Sequence, residues 1–182
     1  MTAYETVRTT IIKTLHRNGY QAFLVGGCVR DLLLGREPKD YDVTTNATPE
    51  QVMAMFPKTV AVGAAFGVVV VLDNGHQIEV ATFRADGEYS DNRRPDSVTY
   101  SKTVKEDVIR RDFTINGLLF MPTLSMEYPQ TLLDELEKIE YADSMEAGKE
   151  GREDVWTLRD GMDCLVDYVG GREDLEARII RA

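Results

Sequence analysis

Asp40 and Asp42 are the residues best suited, by type and spacing, to do chemistry in this chain. If Asp40 to Val43 is extended, alternate side chains share one face, so the two carboxylates lie about 7 Å apart along the backbone. Mg²⁺ prefers carboxylate and phosphate oxygens. The pair can therefore hold two Mg²⁺ ions that activate a hydroxyl and stabilise the leaving oxygen of a phosphoryl displacement. A solvated strand edge is the alternative interpretation.

A glycine pair, Gly26-Gly27, precedes these aspartates. It follows an apolar run, Ala22 to Val25, that predicts a buried strand, and it opens a helical segment that carries Arg30 in its first turn and ends at Gly35. Exposed N–H groups and the positive end of the helix dipole can hold an anionic triphosphate. A glycine pair after a strand can also be an ordinary turn. Its closeness to Asp40 and Asp42 favours the phosphate site.

A third carboxylate, Glu79, lies in a predicted hairpin. The β-branched run from Gly67 to Leu72 predicts a central strand, Asn74-Gly75 predicts a two-residue turn, and Gln77 to Phe83 is the returning strand. Glu79 lies opposite the aliphatic row of that strand. It joins Asp40 and Asp42 if the hairpin lies beside them, and it is otherwise a solvent-facing glutamate.

A second motif runs from Arg110 to Asn116, in a stretch that the sequence predicts to be helical after a capping box at Thr103 to Glu106. In it, Arg111 offers a guanidinium suited to phosphate, and Asp112 offers a carboxylate that could accept from a ribose hydroxyl. A salt-bridged helix face would look the same. The polar stretch between Arg84 and Asp96 predicts a loop, in which Arg93 and Arg94 either contact phosphate or are solvated.

The two motifs resemble the signatures of the tRNA nucleotidyltransferase (CCA-adding enzyme) and bacterial poly(A) polymerase family. The matching residues are Gly26-Gly27, Val29-Arg30-Asp31, Leu33-Leu34-Gly35, Asp40, Asp42 and the RRDFTIN run from Arg110 to Asn116. The resemblance implies an α/β (α+β) head of the polymerase-β type, with a mixed, largely antiparallel sheet flanked by helices. It also implies catalytic and metal-binding roles for Asp40 and Asp42, a catalytic role for Glu79, and nucleotide binding by Gly26, Gly27, Arg30, Arg111, Asp112 and Asn116.

The function that this resemblance implies is transfer of CMP or AMP from CTP or ATP to the 3′ end of tRNA, as CCA addition or its A-adding or CC-adding variant, with two Mg²⁺ ions as cofactors. Two alternatives stay open. One is a poly(A) polymerase acting on other RNA 3′ ends, and the other is a nucleotide-binding regulatory domain without turnover. Intact Asp40, Asp42 and Glu79 argue against the second.

Composition narrows the class of protein. The chain has 182 residues, 43% of them hydrophobic, and no apolar run near the roughly 20 residues of a membrane span. We therefore predict a cytoplasmic globular domain with no membrane partner and an oligomeric state that the sequence does not specify. Cys28 and Cys164 lack metal-ligand spacing and are interpreted as reduced structural residues, and His16 and His76 are too few for a histidine-rich metal site. A net charge of −10 predicts that tRNA is held mainly elsewhere.

The chain is interpreted as one head domain, residues 1–182, with an acidic insertion at about 121–163. Leu132, Leu133 and Leu136 predict an amphipathic helix in the insertion, and the rest of it is expected at the surface. Glu153-Asp154 is not the family's base-templating EDxxR motif, because Thr157 stands where the arginine belongs. Neck and RNA-binding helical domains are absent, which suggests a fragment.

Overall fold

The computed structural model describes residues 1–63, 66–85, 99–101, 103–122, 154–158 and 163–182. Within these ranges the chain forms short helices and strands. The helices are α1 (Ala3–Thr6), a π-helical segment (Val7–Ile12), α2 (Lys13–Arg17), α3 (Gly27–Leu33), α4 (Pro49–Met55), α5 (Val104–Ile109), a 3-10 turn (Thr114–Asn116) and α6 (Gly171–Ala177). The strands are β1 (Ala22–Val25), β2 (Asp42–Thr45), β3 (Thr59–Gly63), β4 (Val68–Asp73), β5 (His76–Thr82), β6 (Arg84–Ala85), β7 (Thr99–Tyr100), β8 (Leu119–Met121), β9 (Asp154–Leu158) and β10 (Asp163–Asp167).

Eight of these strands form one mixed sheet in the order β3-β4-β5-β2-β1-β8-β10-β9. Its paired strands are antiparallel except β2 and β5, which run parallel. Strands β6 and β7 form a separate antiparallel pair. The fold is therefore the mixed, largely antiparallel sheet flanked by helices that the sequence predicts, with its one parallel junction between the strands that carry Asp42 and Glu79.

Helices cover both faces of this sheet. The segment from α1 to α2 and helix α4 pack on one face, where Ile11, Leu15 and Val52 join the aliphatic side chains of β2, β4 and β5. Helix α5 packs on the other face through Val104 and Val108. Strand residues alternate between faces, so Asp42 and Glu79 project on the α5 side, opposite their buried neighbours.

Local signals in the sequence place several elements correctly. Strand β1 and the Asn74-Gly75 turn lie where they are predicted, and Thr48 caps α4 in a reciprocal capping box with Gln51. Thr103 caps α5, but the Glu106 carboxylate accepts from the Ser101 hydroxyl instead of closing the box.

Other predictions are wrong. Strand β2 begins at Asp42, so Asp40 lies in a bend before it and not on the strand. Helix α5 ends at Ile109, so Arg111 and Asp112 lie in a turn, and Phe113 is 39% exposed instead of packed. Local periodicity indicates the type of an element better than the residue at which it begins or ends.

The sequence also misses several strands, including β3 and β8. Arg84–Ala85 forms β6 where a loop is predicted, and Asp154–Leu158 forms β9 inside the predicted insertion. The rest of the predicted loop, with Arg93 and Arg94, lies outside the described residues, as does the predicted helix with Leu132. None of the helices in the described ranges has the length and apolar character that a membrane crossing requires.

Candidate active site

The site centres on two carboxylates that adjacent strands bring together. Asp42, the first residue of β2, pairs in parallel register with Glu79 on β5. Paired residues of neighbouring strands project on the same face, and the strands lie about 5 Å apart. Burial raises the pKa of Asp42, and the neighbouring Glu79 charge raises it further. A half-buried acid beside a second acid is a site where a cation would be stabilised.

Asp40 contributes from outside the strand. Its side chain is exposed in the bend before β2. It is still close enough for its negative charge to add to the causes that raise the pKa of Asp42, after burial and Glu79. The structure therefore brings Asp40 to the same acidic site, by a route other than the alternating strand geometry that the sequence suggests.

The Gly26-Gly27 turn lies against these acids. A Cβ added to Gly26 would stand 3.7 Å from Asp42 Oδ2 and 3.7 Å from Arg111 Nη1. Thus the turn, the strand aspartate and the second motif meet at one point, although they are far apart in the sequence.

Arg30 joins the two sequence motifs. Its guanidinium donates to Asp31 Oδ1 at 2.9 Å and, through Nη1, to Asn116 Oδ1 at 3.2 Å. A Cβ on Gly27 would lie 3.4 Å from Arg30 Nη2, so the guanidinium stands next to the glycine turn. Half-exposed and partly neutralised, it can turn donors toward a bound phosphate.

Arg111 stands between two acids. Its Nη2 donates to Asp107 Oδ2 at 3.1 Å, while its positive charge opposes the rise in the pKa of Asp42. Its Nε is buried and has no hydrogen-bond partner among the described residues. Asp112, the next residue, is exposed at the surface of the turn. The guanidinium is therefore held from one side.

Asp107 is the buried residue that sequence reasoning missed. Burial alone would raise its pKa, but Arg111 and Arg110, together with hydrogen bonds from Arg110 and Arg84, hold the pKa below its usual value. In the sequence it resembles an ordinary acid on a helix face, in the run Lys105-Glu106-Asp107. Its one signal is its spacing of three and four residues before two arginines, which is also common in solvated helices.

The acidic residues fit a divalent cation, although they do not enclose one. No group of three His, Cys, Asp or Glu side chains in the described part of the chain is arranged to hold a metal ion. Mg²⁺ is usually bound by one or two carboxylates and completed by water and substrate phosphates. Asp42, with its raised pKa beside Glu79, supplies such a partial ligand set.

These features define a class of protein domain, in which a mixed sheet flanked by helices places carboxylates beside a glycine turn and an arginine. The chain belongs to the family described as the poly A polymerase head domain, which matches residues 22–140. The predicted family is thereby confirmed.

Curated relatives and solved structures agree with this assignment. CCA-adding enzymes of Geobacillus thermodenitrificans and Bacillus pumilus are 56% and 54% identical to it over 108 residues, which is 59% of this chain and 27% of each relative. The crystal structure of Bacillus stearothermophilus CCA-adding enzyme in complex with CTP aligns with a TM-score of 0.67 and 37% identity, covering 100% of this chain and 34% of that one. A Thermotoga maritima CCA-adding enzyme complexed with tRNA, at 21% identity and a TM-score of 0.61, shares the fold. The chain thus spans about a quarter of the length of the curated relatives that it matches.

Proposed function

We propose that this chain is the catalytic head of a tRNA nucleotidyltransferase that adds CMP and AMP, from CTP and ATP, to the tRNA 3′ end. The observation that carries the proposal is the meeting of Asp42, Glu79, Gly26 and Arg111 on one face of the sheet. The names of the relatives support the substrate, since the enzymes at 56% and 54% identity are CCA-adding enzymes.

In the proposed reaction, the RNA 3′ hydroxyl attacks the α-phosphorus of the nucleotide in line. A new O3′–P bond forms, the bond from Pα to the bridging oxygen breaks, and pyrophosphate leaves. The Gly26-Gly27 turn, Arg30 and Arg111 hold the triphosphate. Asp112 and Asn116 are assigned to the sugar, and Glu79 orients the attacking hydroxyl or the metal site.

Asp40 and Asp42 are the proposed ligands of two Mg²⁺ ions. When bound, Mg²⁺ would neutralise phosphate charge and lower the pKa of the attacking hydroxyl. The support from this structure is the raised pKa of Asp42: burial raises it first, and the charges of Glu79 and Asp40 raise it further against the opposing charge of Arg111. With the ions bound, Asp40 and Asp42 would hold the substrate phosphates near Arg111.

The test is transfer of labelled CMP and AMP to tRNA that lacks its terminal CCA, measured with the protein at its full natural length in Mg²⁺. Addition of CCA supports the proposal. Long AMP tracts on unrelated RNA would indicate a poly(A) polymerase, and nucleotide binding without transfer would indicate a regulatory domain.

A single substitution tests the metal assignment. We expect Asp42→Ala to reduce transfer by about 10² or more, since it removes a preorganised charge at the reacting centre. Asp73→Ala, at the end of β4 beside the Asn74-Gly75 turn, is the matched control and should keep wild-type rates. Near-normal Mg²⁺-dependent turnover in Asp42→Ala would contradict the assignment.

A further inference from the structure

Asp107 is a fully buried carboxylate that gathers four donors. Its side chain is 0% exposed. Oδ1 accepts from the Arg84 backbone N–H at 3.1 Å and from Arg110 Nη2 at 2.6 Å, and Oδ2 accepts from Thr44 Oγ1 at 3.0 Å and from Arg111 Nη2 at 3.1 Å. Each carboxylate oxygen therefore accepts from two donors.

These donors belong to three separate parts of the site. Thr44 lies on β2, two residues after Asp42 and on the same face of the strand. Arg84 begins β6, just beyond the end of β5, the strand that carries Glu79. Arg111 follows the end of α5. One side chain therefore fixes the position of the Arg111 guanidinium relative to the strand that carries the acid.

The charges leave Arg111 available for an anion. Asp107 offers one negative charge to both Arg110 and Arg111. Burial lowers the pKa of the nearby Arg84, and the positive charges of Arg110 and Arg111 lower it further, although Asp107 acts to raise it. Positive charge exceeds negative charge around the carboxylate. Asp107 contacts Arg111 only through Nη2, and Nη1 is directed to the Gly26 turn.

We propose that Asp107 is a positioning residue for the nucleotide triphosphate: it holds Arg111 between Asp42 and the Gly26 turn, so that the guanidinium meets the phosphates already oriented. The inference rests on the proposed function. Asp107 itself contacts no substrate, because its carboxylate is buried beneath the arginines. Pre-orienting a long side chain lowers the entropy lost when the ligand binds.

A merely structural role would be different in one measurable way. If Asp107 only fastens α5 to the sheet, its loss and the loss of Arg111 weaken binding independently. If Asp107 acts through Arg111, removing it has no further effect once Arg111 is gone. A double-mutant cycle separates the two cases, since residues that act through one contact are not additive.

The experiment is titration of the 182-residue chain with ATP in Mg²⁺, followed by NMR, for wild type, Asp107→Asn, Arg111→Ala and the double variant. Each single variant should bind ATP roughly tenfold or more weakly, the cost of a lost hydrogen bond to a charged group. The double variant should bind no more weakly than Arg111→Ala. Additive losses, or an Asp107→Asn affinity equal to wild type, would overturn the inference.

Two further variants guard against a trivial result. Val52→Ala removes core volume from α4 on the opposite face of the sheet, so it should lower the unfolding temperature and leave ATP affinity unchanged. If Asp107→Asn does not fold, Thr44→Val takes its place in the cycle. It removes the hydroxyl that anchors the same Oδ2 and should cost about threefold in affinity, again without effect when Arg111 is alanine.

The outcomes also separate this inference from the proposed function. A folded wild-type chain that binds neither ATP nor CTP in Mg²⁺ would overturn the proposed function and, with it, the role of Asp107. A wild-type chain that binds, together with an unaffected or additive Asp107→Asn, would overturn the positioning role alone.

Discussion

Gly26 is the single residue whose backbone the site depends on most. It has φ 80° and ψ −143°, a conformation that side chains other than glycine rarely adopt. A Cβ there would meet its nearest neighbours at 3.7 Å, which is ordinary contact. The requirement for glycine is therefore conformational rather than steric. The sequence predicts a turn at this position, but not that its backbone brings Asp42 and Arg111 together.

We expect Gly26→Ala to lower the free energy of unfolding by about 1–3 kcal/mol through backbone strain. Gly27→Ala is the matched comparison, because Gly27 has no positive φ and a Cβ there would meet only the flexible end of Arg30, at 3.4 Å. It should cost less than about 1 kcal/mol. Urea unfolding of both variants measures the difference, and equal losses would show that the Gly26 conformation carries no special cost.

His16 gives the chain a pH-dependent stability. Burial lowers the pKa of His16 from 6.5 to about 4, although the Ala22 carbonyl at 3.0 Å from Nε2 acts to raise it. The unfolded chain therefore binds more protons between these values, and the native state loses stability as the pH falls from 6.5 to about 4. The full loss is roughly 3 kcal/mol.

We expect His16→Gln to flatten this part of the stability curve. Urea unfolding across that pH range, for the variant and wild type, measures the change in slope. A His16→Gln chain with the wild-type slope would mean that carboxylates, not His16, set the acid limit.

At the scale of elements, the sequence predicts what local chemistry decides. Strand β1 is recognisable from its apolar run, the β4–β5 hairpin from Asn74-Gly75, and α4 from Thr48 and Pro49. Each signal acts within a few residues: a turn that needs positive φ, a cap that satisfies an N–H, or a proline at the first helical position. The placement of Glu79 opposite its aliphatic neighbours follows from the same local alternation.

What the sequence could not predict depends on pairing between distant segments. The parallel register of Asp42 with Glu79 and the four partners of Asp107 come from elements far apart along the chain. Arg111 lies just beyond the end of α5, where its guanidinium donates to Asp107, and Asp107 is itself held by Thr44 and Arg84 from other elements. A helical pattern gives no information about such contacts.

The packing of α6 against the 3-10 turn shows how one element positions part of the site, the Asn116 side chain. Thr114 bonds to Asp174 through its hydroxyl at 2.7 Å, and Asn116 of the same turn accepts from Arg30. A Cβ on Gly171 would lie 2.2 Å from the Thr114 carbonyl oxygen. This contact is with backbone, so no change of rotamer relieves it.

We therefore expect Gly171→Ala to cost about 3 kcal/mol or more in free energy of unfolding, as an overpacked contact that only backbone movement relieves. Gly170→Ala is the neighbouring control: it has φ 74° and no atom within 4 Å of the added Cβ. Its cost is backbone strain alone, about 1 kcal/mol. Thermal unfolding compares the two. A Gly171→Ala chain as stable as Gly170→Ala would mean that α6 is not tightly seated.

At the scale of the whole molecule, the net charge is the opposite of what the binding of anionic substrates would favour. The chain carries −10 charges at neutral pH, yet its proposed substrates are polyanions. Positive charge is concentrated where Arg84, Arg110 and Arg111 surround Asp107. Such a cluster suits one triphosphate. It does not provide the extended row of cations that neutralises many phosphates along a nucleic acid.

The contacts proposed for the nucleotide are with its phosphates and sugar, which CTP and ATP share. Discrimination between bases needs hydrogen bonds to the base edge, and a site without them rejects the wrong base poorly. We therefore expect this 182-residue chain to bind CTP and ATP with similar, weak affinity in Mg²⁺, and to bind tRNA poorly at physiological salt. Calorimetric titration with each ligand measures this, and the salt dependence of any tRNA binding counts the phosphates contacted. A strong preference for one nucleotide, or tight salt-resistant binding of tRNA, would mean that this chain carries its own recognition surface. Variants in residues 121–163 would then be the first to examine, because that segment has no part in the proposed chemistry.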